Sequence, residues 1–116
     1  MSIAQGPALT AIAFQLAAAL DAYEVEVEGL LSHSNDLELY RKVSARMDEM
    51  RLYASALPHV AVPWVEVLIR HFELTHGLWQ VYQAKMGVDE LAEVRRLHRG
   101  AVGTLQQRLL QSLPSQ

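Results

Sequence analysis

The sequence predicts an all-α fold, an antiparallel up-down four-helix bundle with short loops, in which residues 1–116 form one domain. Three observations predict it. Apolar residues recur at spacings of three and four along four segments of about 25 residues, whereas the alternation typical of a β-strand extends over no useful length. Prolines and glycines lie between these segments. With 51% hydrophobic and 20% charged residues, the chain can enclose a single core.

The first helix is predicted over residues 7–32. Gly6 and Pro7 suit its N-cap and its first helical position, because proline at that position lacks only an N–H that would have no partner in the helix. A main apolar stripe is expected to face the core, and its members are Leu9, Ile12, Leu16, Leu20, Tyr23, Val27 and Leu30.

The second helix is predicted over residues 35–57. Asn35, with Glu38 three residues later, resembles a capping box, and Pro58 follows the expected end. The stripe expected to face the core consists of Tyr40, Val43, Met47, Met50, Ala54 and Leu57.

The third helix is predicted over residues 63–86, from Pro63 to a left-handed terminator at Gly87. Its expected inward stripe is Val65, Leu68, Phe72, Thr75, Trp79, Tyr82 and Met86. The fourth helix is predicted over residues 89–113 with Asp89 as its cap, and Gly100 and Gly103 indicate either a kink or a close backbone approach. Its inward stripe is Leu91, Val94, His98, Ala101, Leu105 and Leu109.

Helices 1 and 3 carry more apolar surface than a solitary bundle needs. The additional seams contain Phe14, Ala18 and Val25 on helix 1 and Val67, Leu74, Leu78 and Val81 on helix 3. Exposed apolar patches of this kind mark interfaces, so a homo-oligomer, most simply a dimer, or a helical protein partner is expected. The alternative is an irregular bundle that buries both seams within one chain. Helices 1 and 3 lie diagonally in a simple bundle, so one flat interface could not use both seams equally.

Charges and histidines suggest how neighbouring helices align. Acidic residues near the end of helix 1 should lie level with Arg95, Arg96 and Arg99 at the start of helix 4. By the same alignment, Glu24, His76 and His98 should form one inward layer. Such a layer either binds a divalent metal or small ligand, or is a structural layer whose histidines are satisfied by a tyrosine, a carboxylate or water. A structural role is favoured, because di-iron bundles need two Glu-x-x-His motifs and this sequence has one. The histidines at 33, 59 and 71 are expected at the surface.

Several functional classes are disfavoured by the sequence. The absence of cysteine excludes disulfides and thiol nucleophiles, and there is no phosphate-binding loop motif. A net charge of −3 argues against nucleic-acid binding. Gln15 and Asp21 interrupt or end the apolar run of helix 1, which disfavours a signal peptide, a spanning helix and a membrane partner, so a cytoplasmic location is the default.

The residues therefore favour a non-enzymatic helical bundle without a cofactor that acts through protein–protein contacts. Its expected role is that of a homodimer, an adaptor, a chaperone-like protein or a regulatory subunit. The alternative function is a metal- or small-ligand-binding bundle that uses the Glu24, His76 and His98 layer.

Overall fold

Four helices account for most of residues 5–113, the part of the chain that the computed structural model describes. They are α1 (Gln5–Ser32), α2 (Leu37–Ser55), α3 (Ala61–Tyr82) and α4 (Val88–Ser112), with a 3-10 turn at Pro58–Val60. Within the described residues there is no strand. Consecutive helices run antiparallel in a body of 54 × 25 × 23 Å. The predicted all-α four-helix bundle is confirmed.

The start of α2 differs slightly from its predicted position. Asp36, and not Asn35, is the N-cap, because its carboxylate accepts hydrogen bonds from the backbone N–H groups of Glu38 (3.0 Å) and Leu39 (3.3 Å). The capping residue therefore lies one position later than the sequence pattern indicated.

The turn between α3 and α4 is built differently from the predicted one. The helix ends at Tyr82, and Ala84, with a φ of 60°, is the left-handed residue. The N–H groups of Ala84 and Lys85 donate to the carbonyls of Val81 and Gln80, which is the Schellman pattern. Gly87 is instead the N-cap of α4, so its predicted role as terminator of helix 3 is wrong, as is that of Asp89 as the cap. These hydrogen bonds satisfy two of the last carbonyls of α3 at this earlier end.

The core stripes predicted for three helices are largely confirmed. Leu16, Leu20, Tyr23, Val27 and Leu30 of α1 are buried. So are Val43, Met47, Met50 and Ala54 of α2, with Leu57 just beyond its end, and His98, Ala101, Leu105 and Leu109 of α4. α4 runs unbroken through Gly100 and Gly103, and a Cβ at either position would meet nothing within 4 Å, so neither glycine serves a close approach.

The prediction for α3 is reversed. The residues expected to form an interface seam, Val67, Leu74 and Leu78, are buried in the core, and Val81 is half-buried. Much of the expected inward stripe faces solvent, including Phe72 and Trp79, which are 60% and 52% exposed. The interface prediction at Val67, Leu74 and Leu78 is therefore wrong for this chain. Both seams are apolar, so periodicity alone could not show which one faces the core. The buried hydrogen bond of His71 determines it.

The bundle is least closed between α2 and α3. α1 packs along both α2 and α4, and α3 packs along α4, whereas α2 and α3 approach each other at few points. A groove of about 310 Å³ lies between the start of α2 and the end of α3. This side of the bundle leaves much of α3 uncovered.

By length and composition alone, residues Gly6–Ser32 are apolar enough to cross a membrane. The same is true of core helices in many bundles, and one face of this segment supplies Leu16, Leu20 and Val27 to the core. The absence of a membrane partner remains a prediction.

Replacement of Ala84 by glycine is expected to stabilise the fold by about 1 kcal/mol, because glycine tolerates the left-handed conformation that alanine adopts there at a cost. Chemical denaturation monitored by circular dichroism measures this change. The matched control is Ala45→Gly at an exposed position inside α2, which should destabilise the fold by about 1 kcal/mol. Loss of stability in both variants would contradict the turn geometry.

Candidate functional site

The structure does not bring the predicted layer of Glu24, His76 and His98 together. His98 is fully buried as predicted, but His76 is exposed, and its Nε2 lies 3.1 Å from the side-chain nitrogen of Gln80. Glu24 accepts a hydrogen bond from Gln106 (2.8 Å). The rotational setting of α3 separates the three residues. Among the described residues no group of three or more histidine, aspartate or glutamate side chains is placed to hold a metal.

A different pair of histidines meets in the core. The hydroxyl of Tyr23 on α1 lies 2.9 Å from Nδ1 of His71 on α3 and 2.7 Å from Nε2 of His98 on α4. Tyr23 and His98 are fully buried, and His71 is 6% exposed. One phenolic oxygen thus joins three helices. His71, expected at the surface, belongs to this central cluster.

Arg95 fixes the direction of every hydrogen bond in this cluster. Its Nη1 lies 2.8 Å from Nδ1 of His98, and a guanidinium can only donate, so Nδ1 must be the unprotonated acceptor. His98 is then the tautomer with its proton on Nε2, which donates to the oxygen of Tyr23. The Tyr23 O–H is left to donate to Nδ1 of His71. The result is a one-way chain, Arg95 to His98 to Tyr23 to His71.

The outer end of this chain is an ion pair. Arg95 also donates to Glu28, and Arg99 donates to the same carboxylate oxygen at 3.1 Å. The hydrogen bonds from Arg95 and Arg99 lower the pKa of Glu28 below its usual value. The predicted alignment of the acidic end of α1 with the basic start of α4 is confirmed here, except that Arg96 pairs with Glu93 on its own helix.

Burial keeps both histidines neutral at pH 7. Desolvation lowers the pKa of His71 from 6.5 to about 4. The pKa of His98 falls to about 3, first through desolvation and then through the charge of Arg95. Desolvation also raises the pKa of the Tyr23 hydroxyl. Both ring nitrogens of His98 are engaged, and Arg95 places a positive charge beside it, so the cluster is unsuited to holding a metal cation.

The second feature of the site is an apolar strip on the solvent side of α3, which we call the outer face. Its members recur at spacings of three and four and are all exposed: Val62, Val65, Ile69, Phe72, Trp79 and, at its edge, Tyr82. His76 occupies the position of the same series between Phe72 and Trp79. The rings of Trp79 and Tyr82 stack with centroids 5.8 Å apart. Phe72 touches the ring of His71 edge-on, with centroids 5.6 Å apart.

The outer face continues into the groove beside α2. Trp79 and Tyr82 form one wall with Leu78, and Leu37 and Tyr40 form the other, while Ser34 and Asn35 line the end. None of these lining residues is charged. The groove therefore extends the apolar surface of α3 towards α2.

The predicted interface residues of α1 have the expected exposure. Phe14, Ala18 and Val25 lie on the side of α1 away from the core, and Phe14 and Val25 are 55% and 72% exposed. They are separated by polar or small residues and form no strip comparable to the outer face of α3. Their contact with a partner remains a prediction.

Sequence reasoning missed His71, although one signal pointed to it. His71 lies four residues after Val67 and three before Leu74, in register with the second apolar seam. Tyr23 was already expected to point inward from helix 1. A histidine in the middle of the second seam could hydrogen-bond to that tyrosine in the core, which favours this seam as the inner one.

Removal of the Tyr23 hydroxyl is expected to destabilise the bundle by about 1–3 kcal/mol, because His98 Nε2–H and His71 Nδ1 both lose their partner inside the core. Tyr23→Phe preserves the ring, so the change isolates the hydroxyl. Tyr53→Phe, which removes a half-buried hydroxyl bonded to Glu49 on α2, is the matched control. Denaturant unfolding should show a much smaller loss for the control; equal losses would contradict a special role for Tyr23.

Acidification is expected to weaken the fold from pH 6.5 down to about 4 through His71 and down to about 3 through His98. Both histidines have a lower pKa in the folded chain than when unfolded, so the unfolded state binds more protons and gains stability as the pH falls. Full stability is present above pH 6.5, and the limiting slope is about 1.4 kcal/mol per pH unit for each histidine.

Denaturant midpoints measured from pH 7 to 5 test this slope above the range in which most carboxylates titrate. His71→Asn retains an acceptor near the position of Nδ1 but cannot titrate, so it should halve the slope. A stability that stays flat from pH 7 to 5 would show that the buried pair is not neutral in the fold.

Comparison of the chain with protein-family models, curated protein sequences and solved structures gives no match. The function proposed below therefore rests on the geometry of the buried cluster and of the outer face of α3.

Proposed function

We propose that this chain is a non-enzymatic helical bundle that acts through protein contacts, and that it self-associates as a homodimer through the outer face of α3. One observation carries the proposal: a line of large apolar side chains along α3, interrupted by His76, each about half or more exposed. Burial of such a surface is the main favourable term in most protein association.

The size of the outer face supports this role. Six large apolar side chains, three of them aromatic, expose on the order of several hundred Å² on one helix. A standard interface buries about 800 Å² on each partner. The outer face with the adjoining groove is of that order, whereas scattered exposed residues such as Leu52 on α2 and Leu110 on α4 are not.

The spacing of the outer face favours a helical partner. Positions that alternate by three and four form the seam through which two helices pack side by side. Two copies of α3 related by a twofold axis near Phe72 and running antiparallel would place Val65 of one copy beside Trp79 of the other. The same strip is then used on both copies, as a twofold interface requires.

Charges beside the strip are compatible with self-association. Arg70 bonds both Glu66 (2.7 Å) and Glu73 (2.9 Å) along one flank of the outer face. That flank carries both positive and negative charges. Contact between the flanks of two copies is therefore not dominated by electrostatic repulsion. Salt bridges of this kind set orientation more than affinity.

The wider roles considered for the sequence remain part of this proposal. An adaptor, a chaperone-like protein or a regulatory subunit would present the same outer face to a different helix. We place the protein in the cytoplasm, without a cofactor and without nucleic-acid binding, on the composition and charge of the sequence.

A second candidate function is the binding of a small ligand. The uncharged groove of about 310 Å³ beside Trp79 and Tyr82 has the size and aromatic lining of a small pocket. The metal-binding form of this alternative loses its support, because Glu24, His76 and His98 lie apart.

The double variant Ile69→Lys with Phe72→Lys is expected to dissociate the dimer without unfolding the chain. Both side chains are exposed in the single chain, and two charges at the centre of the strip oppose apolar burial. Because central interface residues contribute about 2 kcal/mol or more, we expect the dissociation constant to rise by roughly 30-fold or more. Sedimentation equilibrium at tens of micromolar measures it, with far-UV circular dichroism to verify the fold.

The control is Leu52→Lys, since Leu52 is more exposed (72%) than Ile69 or Phe72 but lies on α2 away from the outer face. It should leave the dimer unchanged. A wild-type chain that sediments as a monomer, or equal weakening by the control, would refute the proposal.

A further inference from the structure

We propose that the groove between the start of α2 and the end of α3 binds an uncharged, flat molecule of about two fused rings with one hydrogen-bonding group at its end. This names the ligand class for the second candidate function described above, on which it rests. It does not depend on dimerisation, although the groove and the outer face share Trp79 and Tyr82.

The groove follows from the way the two helices are joined. α2 and α3 are connected through the 3-10 turn at Pro58–Val60 and approach each other at few other points. The start of α2 and the end of α3 lie at the opposite end of this pair. Leu78, which is 4% exposed, belongs to the core at the bottom of the groove, and Tyr40 is half-buried in one wall. The groove is therefore open to solvent on one side and rests on the core on the other.

The volume of the groove sets the size of its ligand. An apolar cavity of about 150 Å³ holds one benzene ring. The groove has a volume of about 310 Å³, roughly twice that of such a cavity, which corresponds to two fused six-membered rings. A single ring would leave half of the groove to water, and a much larger ligand would extend into solvent.

The aromatic side chains of the groove favour a flat ligand. Trp79 and Tyr82 stack with an interplanar angle of 17°, so they form one extended wall. Tyr40 adds a third ring on the other side. Aromatic rings pair in offset-stacked or edge-to-face arrangements that contribute more than their buried area alone. An aromatic ligand gains this contribution, whereas an aliphatic ligand of the same volume does not.

The lining of the groove excludes a charged ligand. None of its seven lining residues is charged. Asp36 lies among them in the sequence but does not line the groove, because its carboxylate accepts hydrogen bonds from the N–H groups of Glu38 and Leu39. Burial raises the pKa of Tyr40, so its phenol stays neutral at pH 7. A charged ligand group would lose its hydration here without an opposite charge to replace it.

One end of the groove supplies hydrogen-bonding groups that the fold leaves unused. In the described part of the chain, the side-chain hydrogen bonds between α1 and α2 are made by Ser32 and Asp36. The hydroxyl of Ser34 and the amide of Asn35 line the groove and take part in none of them. A hydroxyl and a carboxamide each donate and accept. An apolar concavity with a few convergent polar groups is the usual form of a small-ligand site.

A second concavity, between α3 and α4, lacks this combination. It has a similar volume of about 320 Å³, but Glu66, Arg70 and Arg96 line it, and none of its lining side chains is aromatic. Its charges are already paired along the helices, Arg70 with Glu66 and Arg96 with Glu93. Of the two concavities, the groove is therefore the one suited to an uncharged aromatic ligand.

The test is a titration with 2-naphthol, an uncharged two-ring phenol, followed residue by residue in proton–nitrogen NMR spectra at pH 7. The chain is used as a monomer, which is the parent if it sediments as one and the Ile69→Lys, Phe72→Lys variant if it does not. We expect saturable shifts of the Ser34, Asn35 and Trp79 side-chain or backbone N–H signals, with a dissociation constant on the order of 0.1 mM.

Two further probes test the stated chemistry. 2-Naphthoate has the same rings with a carboxylate and should bind roughly 10-fold more weakly or worse, because its charge has no partner in the groove. Phenol, with one ring, should be weaker by a similar factor, since it buries less apolar surface. If 2-naphthoate bound as tightly as 2-naphthol, the uncharged ligand class would be overturned.

Two variants of α2 form a matched pair. Leu37 and Leu52 are 69% and 72% exposed, and of the two only Leu37 lines the groove. Leu37→Glu places a charge on the wall, and we expect it to weaken 2-naphthol binding by roughly 10-fold or more while far-UV circular dichroism stays helical. Leu52→Glu should bind 2-naphthol as the parent does. Equal binding by all three chains would overturn the site.

The remaining outcomes separate the ligand site from the dimer. A chain that dimerises but shows no saturable shifts in the groove overturns the ligand site and leaves the dimer supported. A chain that is monomeric at every concentration and binds 2-naphthol in the groove refutes the dimer and supports the site. Shifts spread along the whole outer face without saturation show adsorption to exposed apolar surface, and they too overturn the site.

Discussion

The hydroxyl group of Tyr23 is the interaction on which the rest of this structure depends. It connects α1 to both α3 and α4 at the centre of a core that is otherwise almost entirely apolar. A hydroxyl buried at that depth must find partners, and the two histidines are the ones available. Apolar contacts are non-directional and permit several rotational settings of a helix. The two hydrogen bonds of Tyr23 favour one of these settings.

The exposed outer face of α3 is the consequence of that choice. Satisfying Tyr23 and His98 places His71 inward and so leaves Phe72 and Trp79 in solvent. The hydrogen bonds of Tyr23 therefore outweigh the burial of Phe72 and Trp79, although Trp64 on the same helix is buried. Local sequence preferences are violated mainly at functional sites. The outer face is therefore the first candidate for a partner-binding surface.

Arg95 has an importance that its position at the edge of the core does not suggest. It joins a surface carboxylate, Glu28, to the buried histidine pair and determines which atom of each ring carries a proton. The charge on Arg95 also helps to keep His98 neutral. One hydrogen-bond chain in this way connects a surface carboxylate to the buried histidine pair.

The sequence by itself determined the fold class, the approximate helix ends, and the core stripes of α1, α2 and α4, because each of those helices has one dominant apolar stripe. It also placed His98 in the core and aligned Glu28 with the arginines of α4. Only the tertiary structure decided the setting of α3 and with it the site, exchanging His76 for His71 as the inward histidine. The reason is physical: α3 has two apolar faces of similar strength, and the choice was made by a hydrogen bond between residues 48 positions apart, which no local pattern contains.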